Sequence, residues 1–197
     1  MLRKILFLNI IFFYFLTHSA FSLEKEAKEL IQSTIDNAKK IALDNSIKIK
    51  DKKIQIEKIA TNVVDVDGLG RFTLGDYKNN LNNEQLEKYT KTFKIFFAKN
   101  ISSRLQNYSD QDIKVVSSKK ISENYVLVSS KMISKKDNQQ ISIDWRVFKV
   151  NDKLLIRDLV VEGLSLAKTQ REEFSSILSS KGFEVLMENL NNFISKN

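Results

Sequence analysis

The chain of 197 residues contains no cysteine, no proline and a single histidine, His18. Without cysteine there can be no disulfide, no thiolate nucleophile and no lipid-modified cysteine at a processed N-terminus. His18 lies in an N-terminal segment that we expect to be removed, so the mature protein would lack histidine as well. These absences exclude Ser-His-Asp and Cys-His catalysis and zinc sites built from Cys and His. We therefore expect a protein that is not an enzyme and uses no metal or cofactor.

The N-terminus has the pattern of a secretory signal peptide. Arg3 and Lys4 precede an apolar run from Ile5 to Leu16, and Ala20 and Ser22 are small residues suited to a cleavage site. The twelve residues of the apolar run would rise only about 18 Å as a helix, whereas a bilayer core is about 30 Å thick. We therefore favour a cleaved peptide over residues 1–22, rather than a membrane anchor, and one exported domain over residues 23–197.

The formal net charge is +8, but the basic residues are scattered and interleaved with Asp and Glu. Nucleic-acid binding requires basic residues clustered on one face. We therefore expect a solvated basic surface and no nucleic-acid partner. Transient contact with an anionic membrane surface remains compatible with this charge.

The spacing of apolar residues predicts the fold class. Helical spacing extends over much of residues 23–108, and strand-like alternation follows in residues 112–117, 124–134, 139–150 and 153–162. Helical spacing returns over residues 166–195, with Gly182 as a natural helix end. The order predicts an α+β fold in which helices pack over a twisted antiparallel sheet of about four strands and enclose an apolar pocket. Asp137-Asn138 and Asn151-Asp152 are the expected hairpin turns.

Three of the five glycines, Gly68, Gly70 and Gly75, lie close together. The spacing of Gly70 and Gly75 resembles a phosphate-binding loop, but Asp76 and Tyr77 stand where that loop requires Lys and Ser or Thr. This excludes a nucleotide site. We expect a bend between two helices, in which the glycines allow a tight turn and Arg71 fixes it.

Two other motifs have structural explanations. Asp65-x-Asp67-Gly68 resembles the start of a calcium loop, but the further ligands are missing, so we expect a turn with local Asx hydrogen bonds. Ser165 follows Gly163 in a near match to a nucleophile elbow. Because no histidine could activate it, we expect Ser165 to cap a helix.

Several separated segments resemble the signature of MlaC-type proteins, the periplasmic phospholipid-binding components of an ABC transport system, also called the toluene-tolerance auxiliary component family. These segments cover nearly all of the chain from Leu23 to Phe193, and they are Gly70–Tyr77, Asn83–Phe93, Ile143–Val147, Arg157–Leu166 and Arg171–Leu178. The sequence departs from the family pattern at Lys153–Ile156 and at Thr169-Gln170. These departures affect a turn and a helix face, and so bear on pocket shape rather than on family.

The resemblance implies a soluble, monomeric carrier in the periplasm with a fold similar to nuclear-transport-factor and cystatin folds. Such a carrier would bind a phospholipid by its acyl chains and help to maintain outer-membrane lipid asymmetry. Its partners would be an inner-membrane ABC transporter complex with an MCE-domain protein and an outer-membrane lipoprotein–porin complex. The alternative is an exported chaperone or interaction module of similar fold that presents a groove to a protein.

The apolar residues at inward-facing positions are the candidates for lining the lipid pocket, although the same residues could form an ordinary core. They are Phe72, Leu74, Tyr77, Phe93, Phe96, Phe97, Val126, Val128, Ile143, Trp145, Val147, Val160, Leu164, Phe174 and Ile177. Arg71 and Arg146 are candidates for the pocket mouth, where they could meet the lipid phosphate. A structural salt bridge is an equally good expectation for Arg146, which points away from the Trp145 face.

Overall fold

The computed structural model describes the backbone of residues 2–104 and 111–197 and the side chains of residues 23–104 and 111–197. Six α-helices, one 3-10 helix and five strands follow one another in this part of the chain. They are α1 (Leu2–Leu43), α2 (Ile49–Val63), α3 (Val66–Leu74), the 3-10 helix (Gly75–Asn80), α4 (Asn83–Ser103), β1 (Gln111–Ser122), β2 (Tyr125–Ser134), β3 (Gln140–Val150), β4 (Lys153–Val161), β5 (Leu164–Ser165), α5 (Leu166–Lys181) and α6 (Phe183–Lys196). The predicted α+β class is confirmed. The end of the helical region predicted up to residue 108 lies outside the described residues.

The sheet is an antiparallel meander with the strand order β1-β2-β3-β4-β5. Positive φ angles of 57° at Asn138, 46° at Asn151 and 61° at Asp152 confirm the two predicted hairpin turns. Among the described residues, no helix is both long and apolar enough to span a bilayer. The prediction of a signal peptide over residues 1–22 stays a prediction.

The first apolar core forms where α1 packs on one face of the sheet. Alternating strand residues such as Val126 and Val128 lie directly opposite Val147 and Trp145 and therefore share a face. The stripe on α1 covers this face because its apolar residues are spaced one helical turn apart. This sheet cluster consists of Leu23, Ala27, Ile31, Ile35, Val126, Val128, Val147 and Ile156.

The second apolar core forms among α3, α4, α5 and α6. It is centred on Phe93 of α4, whose ring packs against Tyr89, Phe96, Phe97 and Phe174. A capping box between Asn82 and Gln85 starts α4, because each side chain accepts a hydrogen bond from the other's backbone N–H. This helical cluster consists of Val66, Leu74, Tyr89, Phe93, Phe174, Leu178, Phe183, Leu186, Met187 and Leu190.

The glycine-rich segment differs from the prediction. Gly68 and Gly70 lie inside α3, and only Gly75, with φ 56°, forms the expected turn at its end. Gly70 is required for close packing, since a Cβ there would lie 2.9 Å from Cδ1 of Phe93. The side chain against Gly75 is Arg171, whereas Arg71 is exposed on α3. The prediction that Arg71 fixes the turn was therefore wrong.

We expect the substitution Gly70→Ala to lower the free energy of unfolding. Alanine is the better helix former by about 1 kcal/mol, but the new methyl group would collide with the buried Phe93 ring, and overpacking a core costs about 1–3 kcal/mol. Urea denaturation of the purified domain measures the effect. Repeating the substitution in a Phe93→Leu background is the control, because removing the ring should abolish the loss. Stabilisation by Gly70→Ala in both backgrounds would contradict the close packing.

Candidate functional site

The helical cluster and the sheet cluster meet at the junction between α2 and α3. Val64 packs against both clusters and forms a parallel bridge with Ile156 at the outer edge of β4. The backbone N–H of Asp65 donates to the carbonyl oxygen of Ile156 at 3.0 Å. We call this boundary between the two clusters the seam.

Asp65 binds both sides of the seam with one buried carboxylate. Its Oδ1 accepts a hydrogen bond from the Gly68 N–H at 3.0 Å and so caps α3. Its Oδ2 accepts a hydrogen bond from Nε of Arg157 at 2.7 Å. The guanidinium of Arg157 also lies 5.2 Å from the ring centre of Phe148. The predicted local Asx bonding is thus present, and no group of three or more potential metal-ligating side chains occurs in the described part of the chain.

A buried hydrogen-bond chain fixes α3 against α4. The hydroxyl of Thr73 donates to the carbonyl oxygen of Gly70 at 2.8 Å, which leaves the Tyr89 hydroxyl to donate to Thr73, also at 2.8 Å. Burial raises the pKa of Tyr89, an effect partly offset by its bond to Thr73. Tyr89 therefore remains protonated and acts as a structural donor rather than as an acid–base group.

Most of the residues predicted to line one pocket are divided between the two clusters. Leu74, Phe93 and Phe174 are buried members of the helical cluster, and Tyr77, Phe96, Phe97 and Ile177 pack against it. Val126, Val128 and Val147 are buried members of the sheet cluster, and Trp145 packs against it. Because these side chains pack against one another, the apolar pocket itself stays a prediction.

Four predicted lining residues lie elsewhere. Phe72 and Leu164 are exposed. Val160 is paired with Asp144, and therefore lies on the face of the sheet opposite Trp145. Ile143 is 8% exposed but belongs to neither cluster. It is the buried lining candidate that is not part of a close-packed core cluster.

Ile143 and Trp145 adjoin a buried polar group on the same face of the sheet. Nε1 of Trp145 donates to Oγ of Ser130 at 2.8 Å, and Ser130 in turn donates to the carbonyl oxygen of Ile143 at 3.2 Å. Ser130 is only 2% exposed, so these bonds are what makes its burial tolerable. The indole N–H of Trp145 is thereby satisfied, and the ring can present its apolar surface to neighbours.

Arg146 has the structural role that the sequence left open. Its Nη1 lies 3.2 Å from Oδ2 of Asp158, and Asp158 also accepts hydrogen bonds from the Ser165 hydroxyl and the Ala167 N–H. Ser165 accepts from the Lys168 N–H at 3.1 Å, which confirms it as the cap of α5. Arg146 thus helps to hold the start of α5 on β4.

An open groove of about 530 Å³ lies between α3 and α5, lined by Phe72, Lys168, Arg171, Glu172 and Ser175. The guanidinium of Arg171 lies 5.1 Å from the ring centre of Phe72. Sequence reasoning named Phe72 but missed Arg171 and Lys168. The helical spacing of α5 could not show that these two side chains line a groove, because the groove depends on which residues of α3 they face.

Removing the Asp65 carboxylate should loosen the seam. We expect Asp65→Ala to lower the free energy of unfolding by about 2 kcal/mol, because a helix cap contributes about 1 kcal/mol and a hydrogen bond to a charged group about 1.5–3 kcal/mol, reduced by solvent screening at Arg157. Asp67→Ala is the matched control, since Asp67 is an exposed acid in the same helical turn. Thermal and urea denaturation measure both. Equal losses for the two variants would contradict the role of Asp65.

Comparison with known proteins adds to this geometry. Residues 28–192 match the family described as MlaC protein. A curated relative, the intermembrane phospholipid transport system binding protein MlaC of Haemophilus influenzae, is 26% identical over 165 residues, which cover 80% of this chain and 77% of that protein. A phospholipid-binding protein from Ralstonia solanacearum, solved in complex with a phospholipid, shares the fold with a TM-score of 0.71 at 18% identity, covering 86% of this chain and 97% of that one. The chain therefore belongs to the MlaC family.

Proposed function

We propose that this protein is a periplasmic carrier that binds a phospholipid by its acyl chains and moves it between the inner and outer membranes. Membership of the MlaC family supports the proposal. One of the two similar proteins is named as the binding protein of a phospholipid transport system, and the other as a phospholipid-binding protein. The carrier would be monomeric and would help to maintain outer-membrane lipid asymmetry. A signal peptide over residues 1–22 would direct its export.

The observation that carries the proposal is the division of the apolar interior into two clusters joined at the seam. The helical cluster and the sheet cluster each pack within themselves. Of the two longest helices, α1 packs on the sheet and on α2, whereas α4 packs on α2, α3 and α6. A sheet layer (the sheet with α1) and a helical layer (α3, α4, α5 and α6) could separate along the seam without breaking a helix or a strand if α2, which contacts both α1 and α4, moved with one of them. An acyl chain entering there would meet apolar side chains from both layers.

The energetics of a carrier fit this arrangement. Removing an acyl chain from water is favourable by about 0.8 kcal/mol per CH₂, so two chains of roughly 16 carbons would release roughly 25 kcal/mol on entering any dry apolar site. A bilayer offers the same gain, and only the difference between the two sites decides loading or release. A protein that closes on itself when empty lowers its own affinity by the cost of opening. This free-energy cost of opening keeps the affinity low enough for the lipid to be released to a membrane.

The proposed partners are protein complexes in the inner and the outer membrane. At the inner membrane the partner would be an ABC transporter complex with an MCE-domain protein. At the outer membrane it would be a lipoprotein–porin complex. Contact with each membrane surface would be transient, as the +8 formal charge of the full chain permits.

The direct test is to export the full chain to a bacterial periplasm, purify the mature protein without detergent and extract it for lipid mass spectrometry. We expect about one phospholipid per protein molecule. A protein that is free of lipid, and that takes up none from phospholipid vesicles, would contradict the proposal. Capture of an unfolded or folded protein substrate instead would favour the chaperone or interaction module.

The place of the acyl chains can be tested with tryptophan substitutions. If the acyl chains extend from the seam along β3 to Ile143, we expect Ile143→Trp to block lipid loading with little loss of stability, because Ile143 lies outside both core clusters. Val128→Trp is the matched control, since Val128 is fully buried in the sheet cluster and overpacking there should lower stability by about 1–3 kcal/mol. Lipid content per folded molecule and urea denaturation distinguish the two effects. Normal loading of a stable Ile143→Trp variant would move the acyl chains elsewhere.

A further inference from the structure

The groove between α3 and α5 combines the features of an anion-binding site. Two basic side chains, Lys168 and Arg171, line it together with one carboxylate, Glu172, and one hydroxyl, Ser175. The fifth lining residue, Phe72, is 38% exposed and gives the groove an apolar wall. A groove with a net positive charge and a hydroxyl donor suits a phosphate oxygen.

Arg171 is held in place from two sides. Its guanidinium lies over the Phe72 ring, a stacking arrangement that Arg favours. On the other side is the backbone of Gly75, where a Cβ would lie 3.0 Å from Nε of Arg171. A guanidinium that is already oriented loses less conformational entropy when it binds an anion.

Arg171 and Lys168 differ from the arginines that have structural roles. Arg146 and Arg157 each form an ion pair with a buried aspartate. Within residues 23–104 and 111–197, Arg171 and Lys168 form no such pair, although Glu172 lies in the same groove. Two cations beside one carboxylate leave a net charge of about +1, which matches a singly charged phosphodiester better than a doubly charged phosphate monoester.

The groove lies next to the apolar interior. Phe174, a buried member of the helical cluster, follows Arg171 by three positions on α5 and is therefore its neighbour about one helical turn away. On α3, the exposed Phe72 is followed two positions later by Leu74, which is buried in the same cluster. The groove therefore lies on the outside of the helical cluster, and Phe72 is the apolar side chain that a lipid bound there would meet first.

We infer that the groove formed by Phe72, Lys168 and Arg171 binds the phosphodiester of the phospholipid headgroup. Arg171 would provide the oriented hydrogen bonds, Lys168 would add a second positive charge, and Glu172 would disfavour a second negative charge on the ligand. This inference rests on the proposed function and adds the place of the headgroup. It replaces Arg71 and Arg146 as candidates for that role.

The test compares two ligands that share acyl chains and differ in the phosphate. Binding of a fluorescent phosphatidylglycerol and of the corresponding diacylglycerol is measured for the mature wild-type protein and for Arg171→Gln, Arg171→Lys and Lys168→Gln. We expect Arg171→Gln to weaken phosphatidylglycerol binding about tenfold, as for loss of a charge-assisted hydrogen bond, with diacylglycerol binding unchanged. Arg171→Lys should recover part of the loss. Lys94→Gln, an exposed lysine of α4, is the control and should bind both ligands normally.

Other results would overturn the inference in different ways. Equal weakening of both ligands by Arg171→Gln would mean that Arg171 acts only by packing on Phe72. If Arg171→Gln left the binding of both ligands unchanged, the headgroup would not bind in this groove, and the proposed carrier function would be unaffected. Binding of inorganic phosphate without competition against phosphatidylglycerol would assign the groove to free phosphate. Failure of the wild-type protein to bind either lipid would instead contradict the proposed function itself.

Discussion

The arrangement of the two clusters depends on the Asp65 carboxylate, whose two oxygens accept hydrogen bonds from different parts of the fold. One oxygen begins α3 and the other binds Arg157 of β4. Arg157 is available for this contact because it is the extra residue of a β-bulge, where the partners of β3 shift from Asp158 to Ile156. The extra residue of a bulge is left out of the strand pairing, and its side chain points in a different direction from the one it would have in a regular strand. A local defect in the sheet thus becomes the attachment point of the helical layer.

The position of α3 has consequences throughout the helical cluster. With its first turn fixed by Asp65, α3 brings Gly70 against the ring of Phe93 and Thr73 against the hydroxyl of Tyr89. Both contacts bind α3 to α4, and neither reaches the sheet. The helical layer is therefore held together by its own contacts, while it meets the sheet at Val64 and Asp65 and through the contacts of α3 and α5 with β4 and of α5 with β5. Layers that are each packed within themselves are suited to move as units.

Local sequence signals predicted those elements whose structure is decided locally. The positive φ of Asn138 and the cap at Ser165 depend on a few neighbouring residues, and both were predicted from the sequence. α3 could not, because glycines favour a turn unless a distant side chain requires their small size. Here the reason is Phe93, a residue of another helix. β1 also extends beyond the predicted residues 112–117, since pairing with β2 compensates for weak alternation in its own sequence.

The candidate site shows a different limit of sequence reasoning. A protein core and a lipid pocket both require apolar side chains, so periodicity identified Phe93, Val128 and Ile143 without showing that Phe93 and Val128 belong to core clusters and Ile143 to neither. The family resemblance supplied the ligand class but not the division of the interior at Val64. Arg171 was missed because its significance arises from meeting Phe72, which is far away in the chain. Contacts of this kind follow from the topology and not from spacing along one helix.

The partial solvation of the groove bears on how a carrier could use it. A phosphate leaving a membrane surface exchanges water and counter-ions for Arg171 and Lys168, and the net gain of such an exchange at an exposed site is small. The groove would therefore orient the headgroup more than it would hold the lipid, while the affinity would come from the acyl chains. This separation of roles favours release, because the acyl chains find an equivalent environment in the next membrane. In that case the groove would fix which end of the lipid faces water throughout the transfer.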